Sequence, residues 1–66
     1  MKSVTLNGQR RETAADHVAS LIAELGFASG TVLAEHNGTA LRPAEWSRCP
    51  IEDGDRIELL RIAAGG

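Results

Sequence analysis

The chain has 66 residues, a formal net charge of −2, and hydrophobic residues at 42% of its positions. A chain of this length forms one small domain that buries only about 60% of its unfolded surface, which leaves little room for an internal active-site cavity. Charges of both signs are scattered and only Phe27 and Trp46 are aromatic, so the basic stripe with aromatic residues that is typical of nucleic-acid binders is missing.

The cysteine content and the N-terminal segment predict where in the cell the protein is found. Cys49 is the single cysteine and cannot form an internal disulfide, which argues against a secreted, disulfide-rich protein. No long apolar run follows Lys2, and no segment approaches transmembrane length, so neither a signal peptide nor a membrane span is expected. We therefore expect a soluble, cytoplasmic protein that binds neither nucleic acid nor membranes.

The N-terminal segment predicts a β-hairpin. Val4 and Leu6 alternate with polar residues, which is the period-two pattern of a half-buried strand. Asn7-Gly8 is a strong hairpin signal, because both central residues of a type I′ turn need a positive φ. The polar residues 9–12 then predict a returning strand at a sheet edge, where charged side chains oppose aggregation.

The next segment predicts one amphipathic helix of about three turns. Thr13 is the expected N-cap, with Asp16 as a short-armed partner in a capping box. Gly26 is the expected left-handed residue at the end of the helix, and His17 is interpreted as a solvated helix residue. The apolar residues spaced at i, i+3, i+4 and i+7, which form one helical face, are Val18, Leu21, Ile22 and Leu25.

The segment after the helix predicts a second hairpin. Phe27 is expected to pack under the end of the helix, and residues 31–35 read as the third strand. A second Asn-Gly pair at residues 37–38 predicts another tight turn. Residues 40–42 then form a short fourth strand, which ends at the proline that follows.

The C-terminal part predicts a helical turn and a last strand. The stretch between Pro43 and Pro50 is irregular, and the indole of Trp46 is expected to cover one edge of the core from it. Residues 52–55 form a turn. Residues 56–62 alternate between apolar and polar side chains again and predict the final strand.

The order of these elements predicts an α+β protein with the β-grasp, ubiquitin-like fold. The helix must cover one face of a mixed sheet of four to five strands, because its apolar stripe has no other partner. In this arrangement the first and last strands lie side by side in the centre of the sheet. We expect residues 1–62 to form the β-grasp domain and residues 63–66 to form a flexible C-terminal tail.

The tail, Ala63-Ala64-Gly65-Gly66, carries one chemically useful group, its terminal carboxylate. An α-carboxyl with a pKa of roughly 3.3–3.7 is ionised near neutral pH and can attack the α-phosphate of ATP to form an acyl-adenylate. Glycine has no Cβ, so the tail can lie extended in a narrow channel with its carbonyl open to attack. The alternative is that the glycines are incidental, since chain ends fray and glycine tolerates fraying.

Three stretches of the chain carry a recognisable pattern. They are Val4-Thr5-Leu6-Asn7-Gly8, then Glu35-His36-Asn37-Gly38 through Arg42-Pro43-Ala44-Glu45-Trp46, and Pro50-Ile51-Glu52-Asp53-Gly54-Asp55-Arg56-Ile57-Glu58. The Asp-Gly-Asp-Arg-Ile-Glu turn and the terminal Gly-Gly are together typical of one protein family. Together these stretches resemble the ThiS family of sulfur carrier proteins of thiamine (thiazole) biosynthesis, and the likeness covers essentially the whole chain.

The resemblance implies a role for the tail and a set of partners. Gly66 would be adenylated by a ThiF-like adenylating enzyme, related to the ubiquitin-activating enzymes, that uses Mg-ATP. A persulfide from a cysteine desulfurase or another donor would convert the adenylate to a thiocarboxylate, and thiazole synthase would take that sulfur into the thiazole ring. The carrier would be a co-substrate, with no catalytic residues and no bound cofactor of its own.

The final strand predicts a partner-binding surface. Ile57 and Leu59 should face the helix, so Leu60 and Ile62 fall on the opposite sheet face, which no second helix covers. Scattered surface hydrophobics are normal, but two on one face directly before the tail favour a docking patch. The predicted partner-binding residues are therefore Leu60 and Ile62, with Glu58 extending their row.

Other candidate sites are weaker. Arg48 beside Cys49 would lower the pKa of the thiol and make it reactive, but a small buried thiol is the commoner explanation. The two histidines and Cys49 lack metal-ligand spacing. Asp53 and Asp55 bracket Gly54 without the further ligands that calcium needs, so we interpret them as turn formers.

Three alternative functions remain open at this point. A sulfur carrier for molybdopterin or another sulfur-containing metabolite would use the same tail, although the short chain and the motif around Trp46 favour the thiamine type. A ubiquitin-like protein modifier would instead join Gly66 to lysines by isopeptide bonds. A plain β-grasp interaction module would make no use of the glycines, and the fold alone does not separate these functions.

Overall fold

A computed structural model of the chain describes residues 1–28 and 30–62. Five strands form one sheet in the order β2-β1-β5-β3-β4, with one α-helix, which confirms the predicted α+β, β-grasp fold. The tail predicted for residues 63–66 lies outside the described residues. In chain order the elements are β1 (Lys2–Leu6), β2 (Gln9–Thr13), α1 (Val18–Glu24), β3 (Val32–His36), β4 (Thr39–Leu41), a 3-10 helix (Pro43–Arg48) and β5 (Arg56–Arg61).

The central strand of the sheet is β5. It runs parallel to β1, where Thr5 lies opposite Arg56. It runs antiparallel to β3, where Val32 lies opposite Arg61. The first and last strands are therefore neighbours in the middle of a mixed sheet, as the sequence predicts. The last strand, β5, is hydrogen-bonded to another strand on each side.

Two tight hairpins form the flanks of the sheet. Both turn through an Asn-Gly pair, with φ of 50° at Asn7, 82° at Gly8, 51° at Asn37 and 87° at Gly38. Positive φ at both central residues is the requirement of a type I′ turn, so both turns form as predicted. Strand β2 lies at one edge, and the exposed side chains of residues 9–12 make that edge polar.

The hydrophobic core lies between the sheet and the helices. On β5, Ile57 is 0% and Leu59 is 7% exposed, so both side chains belong to this core. Their burial agrees with the predicted register of the strand, in which alternate residues share a face. The buried hydrophobic residues are Val4, Ala15, Val18, Leu21, Ile22, Val32, Ala34, Trp46, Ile51, Ile57 and Leu59.

Helix α1 begins later than the sequence predicts. It has seven residues, which is about two turns, and not the predicted three. His17 is the N-cap, because its Nδ1 accepts a hydrogen bond from the N–H of Ser20 at 3.2 Å. The interpretation of His17 as a solvated helix residue was therefore wrong. The C-terminal end forms as predicted, with a φ of 84° at Gly26 and a hydrogen bond from the N–H of Phe27 to the carbonyl of Ile22 at 3.2 Å.

The prediction of Thr13 as the N-cap, with Asp16 as its partner, was also wrong. Thr13 is the buried last residue of β2. Its Oγ1 accepts a hydrogen bond from the N–H of Ala15 at 3.0 Å and donates one to Glu24 at 2.9 Å. The hydroxyl therefore joins the end of β2 to the end of α1 and is not available to cap the first turn.

Candidate functional site

The described part of the chain ends at the root of the predicted tail. The pairing of β3 with β5 continues one step beyond β5, because the N–H of Ile62 donates to the carbonyl of Thr31 at 2.9 Å. The guanidinium of Arg61 lies 5.0 Å from the centre of the Phe27 ring, which is a cation–π distance. These contacts hold the chain as far as Ile62. The predicted carrier residues lie outside the described residues: Ala63, Ala64, Gly65 and Gly66.

Two asparagine side chains hold β5 from both sides. Nδ2 of Asn7 donates to the carbonyl of Leu59 at 3.1 Å, and its Oδ1 accepts from the N–H of Leu59 at 2.7 Å. On the other side, Oδ1 of Asn37 accepts from the N–H of Arg56 at 2.8 Å. The Asn7 carboxamide thus extends the pairing of β1 with β5 beyond the last residue of β1. The sequence assigned both asparagines to turns alone, because their partners lie far away along the chain.

We expect Asn7→Gly to lower the free energy of unfolding by about 1–2 kcal/mol, because it removes two hydrogen bonds to Leu59 of about 1 kcal/mol each. Glycine accepts the φ of 50° at this position, so the turn itself is kept. Urea unfolding followed by circular dichroism measures the change. Asn7→Asp is a second variant that keeps the acceptor for the N–H of Leu59, but it sets a carboxylate oxygen against the carbonyl of Leu59, so it should also be less stable than the wild type. Equal stability of Asn7→Gly and the wild type would show that the two bonds contribute nothing.

Asp55, the residue before β5, accepts three hydrogen bonds through its side chain. Its Oδ2 accepts hydrogen bonds from the N–H of Glu52 at 2.9 Å and from Nε2 of His36 at 2.7 Å, and its Oδ1 accepts one from Asn37 at 3.2 Å. Burial alone would raise the pKa of Asp55. The hydrogen bonds and the charge of His36 outweigh burial, so the pKa lies below its ordinary value of 3.8. Asp55 therefore ties its own turn to the hairpin between β3 and β4.

We expect the domain to lose stability as the pH falls below about 4. The pKa of Asp55 is lower in the folded state, so its carboxylate contributes stability that is fully present above the ordinary, unfolded-state pKa of 3.8. That contribution is lost as the pH falls through the folded-state pKa. Urea midpoints measured across the acid range test this expectation. Asp55→Asn should flatten the profile, and an equally steep acid loss in that variant would assign the effect to other groups.

Cys49 lies half-buried at the end of the 3-10 helix. Burial raises the pKa of its thiol, and the charges of Asp55 and Glu45 raise it further. This direction is opposite to the one that activation by Arg48 would give, so that alternative is not supported. Because the thiolate is the reactive form, a raised pKa makes Cys49 a poor nucleophile.

The described part of the chain shows no metal site and no membrane span. Within residues 1–28 and 30–62, no group of three or more His, Cys, Asp and Glu side chains is placed to hold a metal ion. No helix in the same ranges is both long and apolar enough to cross a membrane. Both histidines already have protein partners, since His17 caps α1 and His36 bonds to Asp55.

One face of the sheet exposes apolar side chains beside the tail root. Leu60 is 66% exposed and Ile62 is 40% exposed, and Glu58 is exposed on the same strand. Leu33, which is 55% exposed, lies directly opposite Leu60 in the pairing of β3 with β5. The structure thus adds Leu33 to the predicted patch. The sequence did not single it out, because three apolar residues in a row at 32–34 hide which of them faces the core.

The comparison with protein families identifies the chain. The model of the ThiS family matches residues 4–66. The chain belongs to the ThiS family. A comparison with curated proteins finds no significant match.

Solved structures agree with membership of the ThiS family. The crystal structure of a thiamine biosynthesis protein (ThiS) from Geobacter metallireducens is 29% identical to the chain, with a TM-score of 0.79, and the similarity covers 97% of this chain and 99% of that one. The NMR solution structure of a thiamine biosynthesis protein from Geobacter metallireducens is 28% identical, also with a TM-score of 0.79. That similarity covers 97% of this chain and 87% of the other.

ThiS family membership supports a role as a sulfur carrier in thiamine biosynthesis. Proteins of the ThiS family are small carriers that work with partner enzymes, and this chain has the same fold over nearly its whole length.

Proposed function

We propose that the carboxylate of Gly66 is the group that carries sulfur, first as an acyl-adenylate and then as a thiocarboxylate. The observation that carries this proposal is the match of the ThiS family model through residue 66, which includes both terminal glycines. The position of β5 supports it, since a central strand paired on both sides gives the tail a rigid base. Glycine at the reacting position leaves the carbonyl open to attack.

The proposed chemistry runs in three steps on partner enzymes. On a ThiF-like adenylating enzyme with Mg-ATP, a carboxylate oxygen of Gly66 attacks the α-phosphate and pyrophosphate leaves. A persulfide from a cysteine desulfurase or another donor then attacks the acyl carbon and AMP leaves. A second thiol attacks the new S–S bond, so that a disulfide forms and the thiocarboxylate is released. Thiazole synthase is the proposed acceptor of that sulfur.

The proposed docking surface for the adenylating enzyme consists of Leu60, Ile62 and Glu58, with Leu33 beside them. Residues 63–66 extend at most about 13–14 Å at about 3.3–3.6 Å per residue, so the reacting phosphate lies within that distance of Ile62. An enzyme that holds the tail at this distance must contact the surface around the end of β5. Of the four large apolar side chains that are exposed in the described residues, Leu33, Leu60 and Ile62 lie there and Met1 does not, and this clustering favours protein contact over scattered exposure.

ATP–pyrophosphate exchange tests the proposed function. The full chain is mixed with Mg-ATP and the adenylating enzyme from the same genome, and labelled pyrophosphate should enter ATP only when all components are present. A chain with an amidated C-terminus is the matched control, because it keeps the tail and lacks the carboxylate. Exchange that is equally fast with the amidated chain would exclude the carboxylate as the reacting group.

We expect Cys49→Ser to leave thiocarboxylate formation unchanged. The thiol has a raised pKa and lies outside the tail, so it has no step to perform in the proposed chemistry. The substitution should lower stability modestly, because a half-buried apolar thiol is replaced by a hydroxyl. Cys49→Ala serves as the apolar control. A folded Cys49→Ser protein that accepts no sulfur in the reconstituted reaction would instead indicate a relay through the thiol.

A further inference from the structure

The exposed face of β3 and β5 holds a shallow groove of about 540 Å³. Its floor includes two cross-strand pairs, Leu33 with Leu60 and Glu35 with Glu58, and the turn at Asn7-Gly8 lines its side. We call this feature the sheet groove. It combines an apolar half, next to the tail root, with a half that carries two carboxylates.

The two acidic residues of the sheet groove lie opposite each other on neighbouring strands, and neither is in an ion pair within the described part of the chain. Glu35 and Glu58 are exposed and directly opposite in an antiparallel pair, an arrangement in which like charges are destabilising. Within residues 1–28 and 30–62, the ion pairs closer than 4.0 Å all involve other acidic residues. Arg56 precedes Glu58 by two residues, but its Nη2 lies 3.9 Å from where a Cβ at Gly38 would be, at the hairpin turn. Among the described residues, therefore, no ion pair within 4.0 Å offsets the like charges of Glu35 and Glu58.

We propose that the sheet groove binds a partner surface that presents an arginine between apolar side chains. A guanidinium is a planar fork of donors that can bond two neighbouring carboxylates at once, which an ammonium does less well. Apolar neighbours of that arginine would cover Leu33 and Leu60. The inference rests on the proposed function, because the partner with this chemistry is the adenylating enzyme that grips the domain beside its tail.

Calorimetric titration of the full chain with the adenylating enzyme from the same genome tests the sheet groove. The double variant Glu35→Gln/Glu58→Gln removes both charges and keeps the side-chain shapes. The matched control, Glu12→Gln/Glu52→Gln, removes two charges from other exposed positions. We expect binding of the groove variant to weaken roughly tenfold or more, from the loss of charge-assisted hydrogen bonds, and the control to bind as the wild type does.

Thermal unfolding of the same variants provides an independent readout. The groove variant should melt at a higher temperature than the wild type, because the repulsion between the carboxylates is gone. A lower melting temperature would show that the carboxylates serve the fold, which would overturn the proposal.

The binding outcomes separate this inference from the proposed function. Unchanged affinity of the groove variant, together with normal ATP–pyrophosphate exchange by the wild type, would overturn the sheet groove proposal alone. Self-association of the wild-type chain that the groove variant loses would identify a second copy as the occupant and would also overturn it. A wild-type chain that supports no exchange would overturn both proposals.

Discussion

Deletion of Gly66 is expected to slow adenylation by orders of magnitude while the domain stays folded. The deletion moves the carboxylate back by one residue, about 3.3–3.6 Å, from an α-phosphate that is placed for the full tail. A misplacement of about 1 Å can already cost about 10²-fold in rate. ATP–pyrophosphate exchange with the adenylating enzyme measures the loss.

The control for this deletion is Gly66→Ala, which keeps the length of the tail and adds only a methyl group. It should retain more exchange activity than the deletion, because its carboxylate stays in reach. The core and the strand pairings described above lie within residues 1–62, so the melting temperature of the truncated chain should hardly change. Exchange at the wild-type rate by the truncated chain would refute the proposed role of the tail.

Leu60→Glu is expected to weaken binding to the adenylating enzyme by roughly 10²- to 10⁴-fold. The substitution removes an apolar contact of about 1.5–3 kcal/mol and places an unpaired carboxylate in the interface, at a cost of similar size. Leu60 is 66% exposed in the free domain, so the fold should persist. Titration calorimetry measures the affinity, and circular dichroism checks the fold.

The matched control for Leu60→Glu is Leu59→Glu. Leu59 is the neighbouring residue on the opposite face of β5 and is only 7% exposed, so the same change there should unfold the domain. An unfolded Leu60→Glu protein would mean that the register of β5 is shifted by one residue, which would exchange the two faces of the strand. Normal affinity of a folded Leu60→Glu protein would place the docking surface elsewhere.

Much of the fold could be predicted, because its strongest signals are local. The period-two pattern of Ile57 and Leu59 sets the face of β5, and each Asn-Gly pair predicts its own turn. The start of the helix could not be predicted in this way. The hydroxyl of Thr13 bonds to Glu24, so the cap passes to His17. A tertiary contact therefore overrides a local capping pattern.

In the candidate site, too, some residues could be predicted from local sequence and others depend on tertiary contacts. Leu60, Ile62 and Glu58 could be found from the strand that precedes the tail. Leu33 and Glu35 could not, because their proximity to β5 depends on the pairing of two strands that are distant in the sequence. The residue pattern within one strand does not predict which distant strand it pairs with.

The role of Asn7 shows this limit most clearly. The sequence predicts Asn7 as a turn residue, and it is one. Its carboxamide also bonds to the backbone of Leu59, 52 positions away, and so holds the strand that leads into the tail. Asn7 therefore both forms the β1–β2 turn and fixes the backbone of β5 before the tail.

Intact-mass spectrometry of the protein purified from its native cell, grown without thiamine, tests the central claim most directly. A sulfur carrier predicts a fraction of the chain whose mass has increased by the replacement of one oxygen with sulfur. Fragmentation should place that sulfur at Gly66. Protein that never carries sulfur under these conditions, or that is instead joined through Gly66 to lysines of other proteins, would contradict the claim.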